Sequence, residues 1–242
     1  MVAEGLRLLQ ELARAELPIS QLFWTPEFAA EDAGRAVLAT LETRSEASIA
    51  VSPEVMAAIA DTETPQGILA VLPIPTLPPR AGSFGLIPDG VRDPGNLGTM
   101  LRTAWATGVS RVWLPPGTVD FTNPKVVRAG MGAHFCVPMA KATWEQIAAD
   151  IAGTSVWLAE AERGTPYDAV DWRGPVTLIV GGEAEGAGPE ARALAGAAGY
   201  VTIPMAEGVD SLNAAMAAAV LLFDAARQRR GNSARHNNAP VE

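Results

Sequence analysis

One cysteine, Cys136, and two histidines, His134 and His236, are the whole stock of soft metal ligands in 242 residues. A disulfide framework is thereby excluded, and a cysteine–histidine metal cluster cannot be assembled. Cys136 reads as a small buried hydrophobe. Long apolar runs are missing as well; nothing approaches the roughly 20 residues needed to cross a bilayer. Basic residues are outnumbered, 18 Lys and Arg against 27 Asp and Glu, for a net charge of −9. That balance argues against indiscriminate polyanion binding. The opening Met1–Glu16 is charged and amphipathic, without the pattern of a secretion signal. Together these absences predict a soluble cytoplasmic protein with no membrane partner and no metal.

What is present is enough apolar residue, 48% of the chain, to bury a sizeable core. Charge is unevenly placed. Residues 1–72 carry 4 basic and 11 acidic side chains, residues 80–141 carry 7 and 3, and residues 142–242 carry 7 and 13. If a phosphate backbone is bound, the middle segment is the one to meet it.

Pattern and punctuation predict alternating elements. Helices are expected at Glu4–Glu16, from Pro26 to Thr43, and from Pro53 to Asp61; strands at Ile19–Trp24, Ser48–Val51 and Gly67–Leu72. The proline-rich stretch 73–82 reads as a semi-rigid linker. Beyond it, strands are expected at Ser83–Ile87, Arg111–Leu114, Ser155–Ala159, Val176–Val180 and Val201–Pro204. Helices are expected at Pro94–Thr107, Pro124–Gly132, Trp144–Ala152 and Pro189–Ala197. Strand–helix alternation implies an α/β fold with a mainly parallel sheet. The domain expectation is 1–72, a linker at 73–82, a second domain at 83–230, and a disordered polar tail at 231–242.

Three stretches carry the chemistry. The first is Asp93–Arg102, DPGNLGTMLR, where Pro94 and the glycines turn a strand into a helix. Helix-start N–H groups can hold an anion. Asn96 offers a donor and an acceptor, and Arg102 brings a permanent cation with a fork of donors. The second is Leu178–Gly188, LIVGGEAEGAG, an apolar strand entering an acidic glycine-rich loop. Its glycines let a ligand approach the backbone closely. It matches neither the dinucleotide fingerprint nor a phosphate-binding loop, so a neutral or cationic ligand fits better than a triphosphate. The third is Ile203-Pro204-Met205 followed by Ser211-Leu212-Asn213, with Ser211 read as the N-cap of a long helix. In that helix Leu212, Met216, Val220 and Phe223 share one face, while the other faces are crowded with alanine. Alanine permits close approach, so packing on more than one side is expected, with a subunit interface among the possibilities.

The order DPGNLGTMLRTA, IVGGEAEG and IPM…SLNAAMA resembles the three motifs of the SpoU-type (TrmH-like) RNA 2′-O-ribose methyltransferases of the SPOUT superfamily. The intervening NPKVVRAGMGAHF, residues 123–135, is similar to that family too, and residues 83–230 are covered. Residues 1–72 resemble the ribosomal-protein-like RNA-binding domain that precedes many members, most tellingly in ADTETPQGILAV at 60–71. The resemblance implies an α/β domain with a parallel sheet and a deep trefoil knot, preceded by a small α/β RNA-binding domain. It implies S-adenosylmethionine held by Gly181, Gly182, Gly186, Ile203, Met205, Ser211, Leu212 and Asn213. It implies catalysis by Arg102 with Asn96 and Glu183, and a homodimer whose active site borders the subunit interface.

Two departures stand out. Ala214 and Ala215 occupy positions where the family often has Val and Ser, removing a hydroxyl. The first domain starts almost directly at Ala3-Glu4-Gly5, where relatives usually have a basic segment and a strand, so a truncated or smaller domain is expected. The function implied is methylation of a ribose 2′-hydroxyl, in 23S ribosomal RNA by virtue of the extra N-terminal domain. The alternatives are a transfer-RNA ribose methyltransferase and a non-catalytic RNA-binding or ribosome-assembly factor.

Overall fold

In the computed structural model, which describes residues 1–78, 80, 82–183, 185–196 and 199–236, the elements run as follows. β1 (Val2–Glu4), α1 (Leu6–Ala15), β2 (Ile19–Trp24), α2 (Pro26–Ala30), α3 (Asp32–Glu42), β3 (Ser45–Ala50), α4 (Pro53–Ile59) and β4 (Ile68–Val71) come first. β5 (Phe84–Asp89), α5 (Pro94–Thr107), β6 (Arg111–Leu114), α6 (Pro124–Gly130), α7 (Ala133–Cys136) and β7 (Met139–Lys141) follow. The last are α8 (Trp144–Asp150), β8 (Ser155–Ala159), β9 (Thr165–Pro166), β10 (Val176–Gly181), α9 (Pro189–Ala195), β11 (Tyr200–Thr202) and α10 (Ala214–His236). They divide into two units. One comprises Met1–Thr76 and Asp120–Cys136, the other Leu77–Val119 and Val137–Glu242.

The first unit is built on a four-stranded sheet of order β1-β4-β2-β3, parallel only between β2 and β3. Helix α1 places Leu8, Leu9 and Leu12 inward, four-residue spacing delivering one apolar stripe. α3 adds Val37, Leu38 and Leu41. The segment 120–136 belongs to this unit, although its sequence lies between strands of the other. Val127 of α6 and Phe135 of α7 enter its core, and Arg128 pairs with Asp61 at 2.7 Å.

Two expectations fail here for local reasons. The single helix from Pro26 to Thr43 is two, because Glu31 is extended and its N–H bonds the carbonyl of Phe28 at 3.3 Å. Gly34 lets α3 sit directly against that carbonyl, a space a Cβ would fill. A strand does precede Gly5: β1 pairs with β4 in antiparallel register, Ala3 opposite Ala70.

The second unit carries a seven-stranded sheet of order β7-β6-β5-β10-β8-β11-β9, and every pairing is parallel. Its central strands β5 and β10 are near-continuous apolar runs, buried along their length, as strands covered on both faces must be. α8 and α9 cover one face, where Ile147 and Ala191 meet Ile87 and Ile179. α10 packs against α5 and β10.

The strands β7 and β9, of three and two residues, escape periodicity analysis. The expected tail at 231–242 falls partly outside the described residues; 231–236 continue α10 as helix. The apolar stripe on α10 also behaves unlike a core face. Its alanine side is buried, Ala218 and Ala225 fully, whereas Leu212, Met216, Val220 and Phe223 are 36–58% exposed.

Candidate active site

Three parallel strands end at one cleft, the usual ligand position in open α/β sheets. Ala159 closes β8, Val180 and Gly181 close β10, and Val201 with Ile203 comes from β11 and its sequel. The cleft holds about 200 Å³ and is walled by Met205, Leu212, Ala214, Ala217 and Leu221.

The loop after β10 is folded on itself. Gly182 and Gly186 form a bridge, with the Gly186 N–H donating to the Gly182 carbonyl at 3.1 Å. A Cβ on Gly181 would strike the backbone of Gly186 and Ala187, and one on Gly182 the carbonyl of Gly90. These two glycines therefore serve backbone packing before any ligand. The Gly188 N–H donates to Asp89 Oδ2 at 2.6 Å, tying the loop to the end of β5. Burial raises the Asp89 carboxyl above its ordinary pKa; the Gly188 N–H opposes this and nearby Glu190 adds to it.

At the cleft, a directed polar chain joins all three motifs. α5 starts on Pro94 with Asp93 as N-cap, its Oδ1 accepting from the Asn96 N–H at 2.7 Å. α10 starts at Ala214, and its cap is Asn213 rather than the expected Ser211. Asn213 Oδ1 accepts from the N–H groups of Ala215 and Met216 at 2.9 and 3.2 Å. That contact fixes the amide, because backbone N–H groups can only donate. Asn213 Nδ2 must then point away, and it donates to Asn96 Oδ1 at 3.0 Å. Asn96 Nδ2 in turn donates to Glu183 Oε1.

Gly181, Gly182, Glu183, Gly186, Ile203, Met205, Ser211 and Leu212 thus line one cleft, with Asn96 and Asn213 bonded at its edge. Arg102 stands apart. It is exposed on α5, lines neither that cleft nor the cavity beside it, and makes no ion pair or hydrogen bond among the described residues.

Glu160 was not foreseen. It directly follows β8, lines the cleft and pairs with Arg192 at 2.5 Å. Its place just past the carboxyl end of a parallel strand was the available signal. The cleft's lining residues include two carboxylates, Glu160 and Glu183, and no lysine or arginine. Apolar walls and negative edges suit a heterocycle carrying a cation, and a polyphosphate poorly.

The SpoU rRNA Methylase family matches residues 83–223, and an MRM3-like substrate binding domain matches residues 1–70. Mitochondrial rRNA methyltransferase 3 of Mus musculus is 35% identical, the match covering 71% of this chain and 55% of the relative. The 23S rRNA guanosine 2′-O-methyltransferase RlmP of Bacillus subtilis is 36% identical over 72% of this chain and 70% of its own length. The chain spans just over half the length of the mouse and human mitochondrial relatives it matches. The SpoU methyltransferase AviRb of Streptomyces viridochromogenes, solved with its cofactor AdoMet, superposes with a TM-score of 0.82 at 27% identity, covering 95% of this chain and 90% of that one. The chain belongs to the SpoU rRNA methylase family.

Proposed function

We infer that this chain methylates a ribose 2′-hydroxyl in ribosomal RNA with S-adenosylmethionine as donor. The observation that carries the inference is the chain Asn213–Asn96–Glu183, which draws three separated motifs to the edge of one cleft suited to a heterocyclic cation. S-adenosylmethionine supplies a methyl group already activated as a sulfonium. Gly181, Gly182, Gly186, Ile203, Met205 and Leu212 hold it through apolar contact and backbone groups, with Ser211 and Asn213 fixing the adjoining loop.

The acceptor is the harder partner, since a ribose hydroxyl is a poor nucleophile at neutral pH. A guanidinium is a donor-only cation, so Arg102 serves as an electrostatic group rather than a base. It holds the substrate phosphate and stabilises charge developing on the 2′-oxygen. Asn96 and Glu183 orient the acceptor. Asn96 and Arg102 share α5, so a single rigid helix sets both.

The enzyme acts in the cytoplasm as a homodimer. Support comes from Leu212 and the face of α10 that follows it, where exposed Met216, Val220 and Phe223 continue from the cleft, so a second copy seated there borders the active site. The reading includes the family's trefoil knot in this unit; support comes from Arg229 of α10, which donates to the carbonyls of Trp172 and Gly174 and ties the helix to the segment before β10.

Labelled methyl transfer to ribosomal RNA tests the reading. Arg102→Ala is expected to abolish transfer while S-adenosylmethionine still binds in calorimetry. Undiminished turnover in that variant removes Arg102 from the mechanism, and failure of the unaltered chain to bind the cofactor removes the enzyme assignment.

A further inference from the structure

The cleft is lined by two carboxylates, and only one of them belongs to a motif. Glu183 is bonded to Asn96 and so to the acceptor side of the site. Glu160 stands one strand further on, since the sheet runs β5-β10-β8-β11 and Glu160 directly follows β8. Its companions in the lining there are Ala159, Ala161, Val180 and Val201, all apolar. A charge set among apolar walls is costly unless something pairs with it. None of the three motifs accounts for it.

Glu160 is fixed at both ends. Its N–H donates to the Val201 carbonyl at 2.9 Å, and Thr202 Oγ1 donates to the carbonyl of Ala161 at 3.0 Å, so β11 holds the backbone. At the side-chain end, Arg192 Nη1 lies 2.5 Å from Oε1, which is buried. Arg192 is itself anchored, its Nε donating to the Ala187 carbonyl at 3.1 Å. An ion pair joining the end of β8 to α9 uses one oxygen. Oε2 has no hydrogen bond or ion pair among the described residues, although Glu160 lines the cleft. A rigid carboxylate with one oxygen unspent, just past the carboxyl end of a parallel strand, is a receptor for hydroxyl or ammonium donors.

S-adenosylmethionine offers two such sets, the ammonium of its methionine tail and the 2′,3′-diol of its ribose. The order of the strand ends chooses between them. The enzyme reading puts the methyl group toward Asn96, on the helix α5 that follows β5, and toward Glu183 after β10. The adenine suits the apolar residues beyond β11, Ile203 and Met205. Ribose joins the sulfur to the adenine, so it belongs between these two places. The strand between β10 and β11 is β8, with Glu160 at its end.

We propose that Glu160 accepts hydrogen bonds from the ribose 2′,3′-diol of S-adenosylmethionine and so selects a ribonucleoside cofactor. The proposal rests on the enzyme reading above and adds one binding residue to it. With Oε1 held by Arg192, the carboxylate is already ordered before the cofactor arrives, which spares the cofactor that cost. A sugar lacking the hydroxyls leaves a charged oxygen without a donor among apolar neighbours, and sites of that kind discriminate strongly.

The test is calorimetry on the full chain with three compounds. They are S-adenosylhomocysteine, 5′-methylthioadenosine, which lacks the amino-acid tail, and 2′,3′-dideoxy-5′-methylthioadenosine, which lacks the diol as well. The unaltered chain is expected to bind the dideoxy compound about tenfold more weakly than methylthioadenosine, the loss expected for hydrogen bonds to a charged group. Glu160→Gln should weaken methylthioadenosine and S-adenosylhomocysteine alike, by about tenfold, and leave the dideoxy compound unchanged. Equal affinity of the unaltered chain for methylthioadenosine and its dideoxy form overturns the proposal without any variant. So does a loss in Glu160→Gln confined to S-adenosylhomocysteine, which assigns the carboxylate to the ammonium. An equal loss for all three compounds also overturns it, leaving Glu160 a structural member of its ion pair. The two readings fail differently: an unaltered chain that binds none of the three overturns both, whereas binding indifferent to the diol overturns this proposal alone.

Discussion

Asn213 does two jobs with opposite ends of one amide. Its oxygen caps α10, and its nitrogen reaches Asn96. Substitution can separate them. Asn213→Asp keeps an oxygen toward the helix and loses the donor, so melting temperature should hold while methyl transfer falls. Asn213→Ala loses both, at a cost of about 1 kcal/mol in denaturant unfolding. Equal activity in the aspartate variant and the parent would show that the chain to Glu183 has no part in turnover.

His134 offers a second separable effect at this scale. It is 3% exposed, stacked on Phe121, with Nε2 2.7 Å from the Phe121 carbonyl and Nδ1 buried without a partner among the described residues. Burial lowers its pKa to about 4, the Phe121 carbonyl opposing the shift. The folded state thus keeps the ring neutral where the unfolded chain protonates it. Stability attributable to His134 is intact above pH 6.5 and declines as pH falls toward 4, by about 3 kcal/mol in all. Urea melts across that window should show the slope, and His134→Gln should flatten it.

At the scale of elements, α10 splits its large side chains between two faces, Leu221 and Leu222 being buried together with the alanines. Alanines are buried against α5 and β10 while Met216 and Phe223 face outward, 58% and 48% exposed. Met216→Glu and Phe223→Glu should leave unfolding free energy nearly unchanged and convert the proposed dimer to monomer in sedimentation equilibrium. A dimer surviving both substitutions removes α10 from the interface. Ala218→Leu, on the fully buried side, should instead cost about 1–3 kcal/mol by overpacking.

The same helix marks where sequence reasoning stops. Its apolar stripe was plain, but periodicity says only that residues share a face, not which face is covered. Its start was misplaced by two residues, because Ser211 and Asn213 are both good caps and only geometry chooses between them. β5 and β10 were legible because burial on both faces writes itself as a continuous apolar run. The division of α2 from α3 was not, since Glu31 is an ordinary helix residue and its extended backbone follows from a tertiary contact at Gly34. The polar chain spans sequence separations of 87 and 117 residues. Family resemblance could group its members, while no local pattern could give their bonding or its direction.

For the whole molecule, the RNA substrate proposed above raises a question of charge, because the chain carries −9 overall. Residues 80–141 carry 7 basic and 3 acidic side chains, but the structure spends several of those cations internally. Arg92, Arg111 and Arg128 are in ion pairs with Glu185, Asp150 and Asp61. Arg80, Arg102 and Lys125 are exposed and without a side-chain partner among the described residues. The electrostatic part of RNA binding should accordingly be modest and concentrated. Three phosphate contacts give a slope of log K against log salt of about −2, near 0.7 per contact for single-stranded RNA. Arg102→Ala and Lys125→Ala should each make it shallower by about 0.7. Titrations of a ribosomal RNA fragment across potassium chloride concentrations read this directly. A slope steeper than about −4 would mean that phosphates are met by groups outside this set. Those groups would have to come from residues 1–72, with 4 basic and 11 acidic side chains, or from residues 142–242, with 7 and 13.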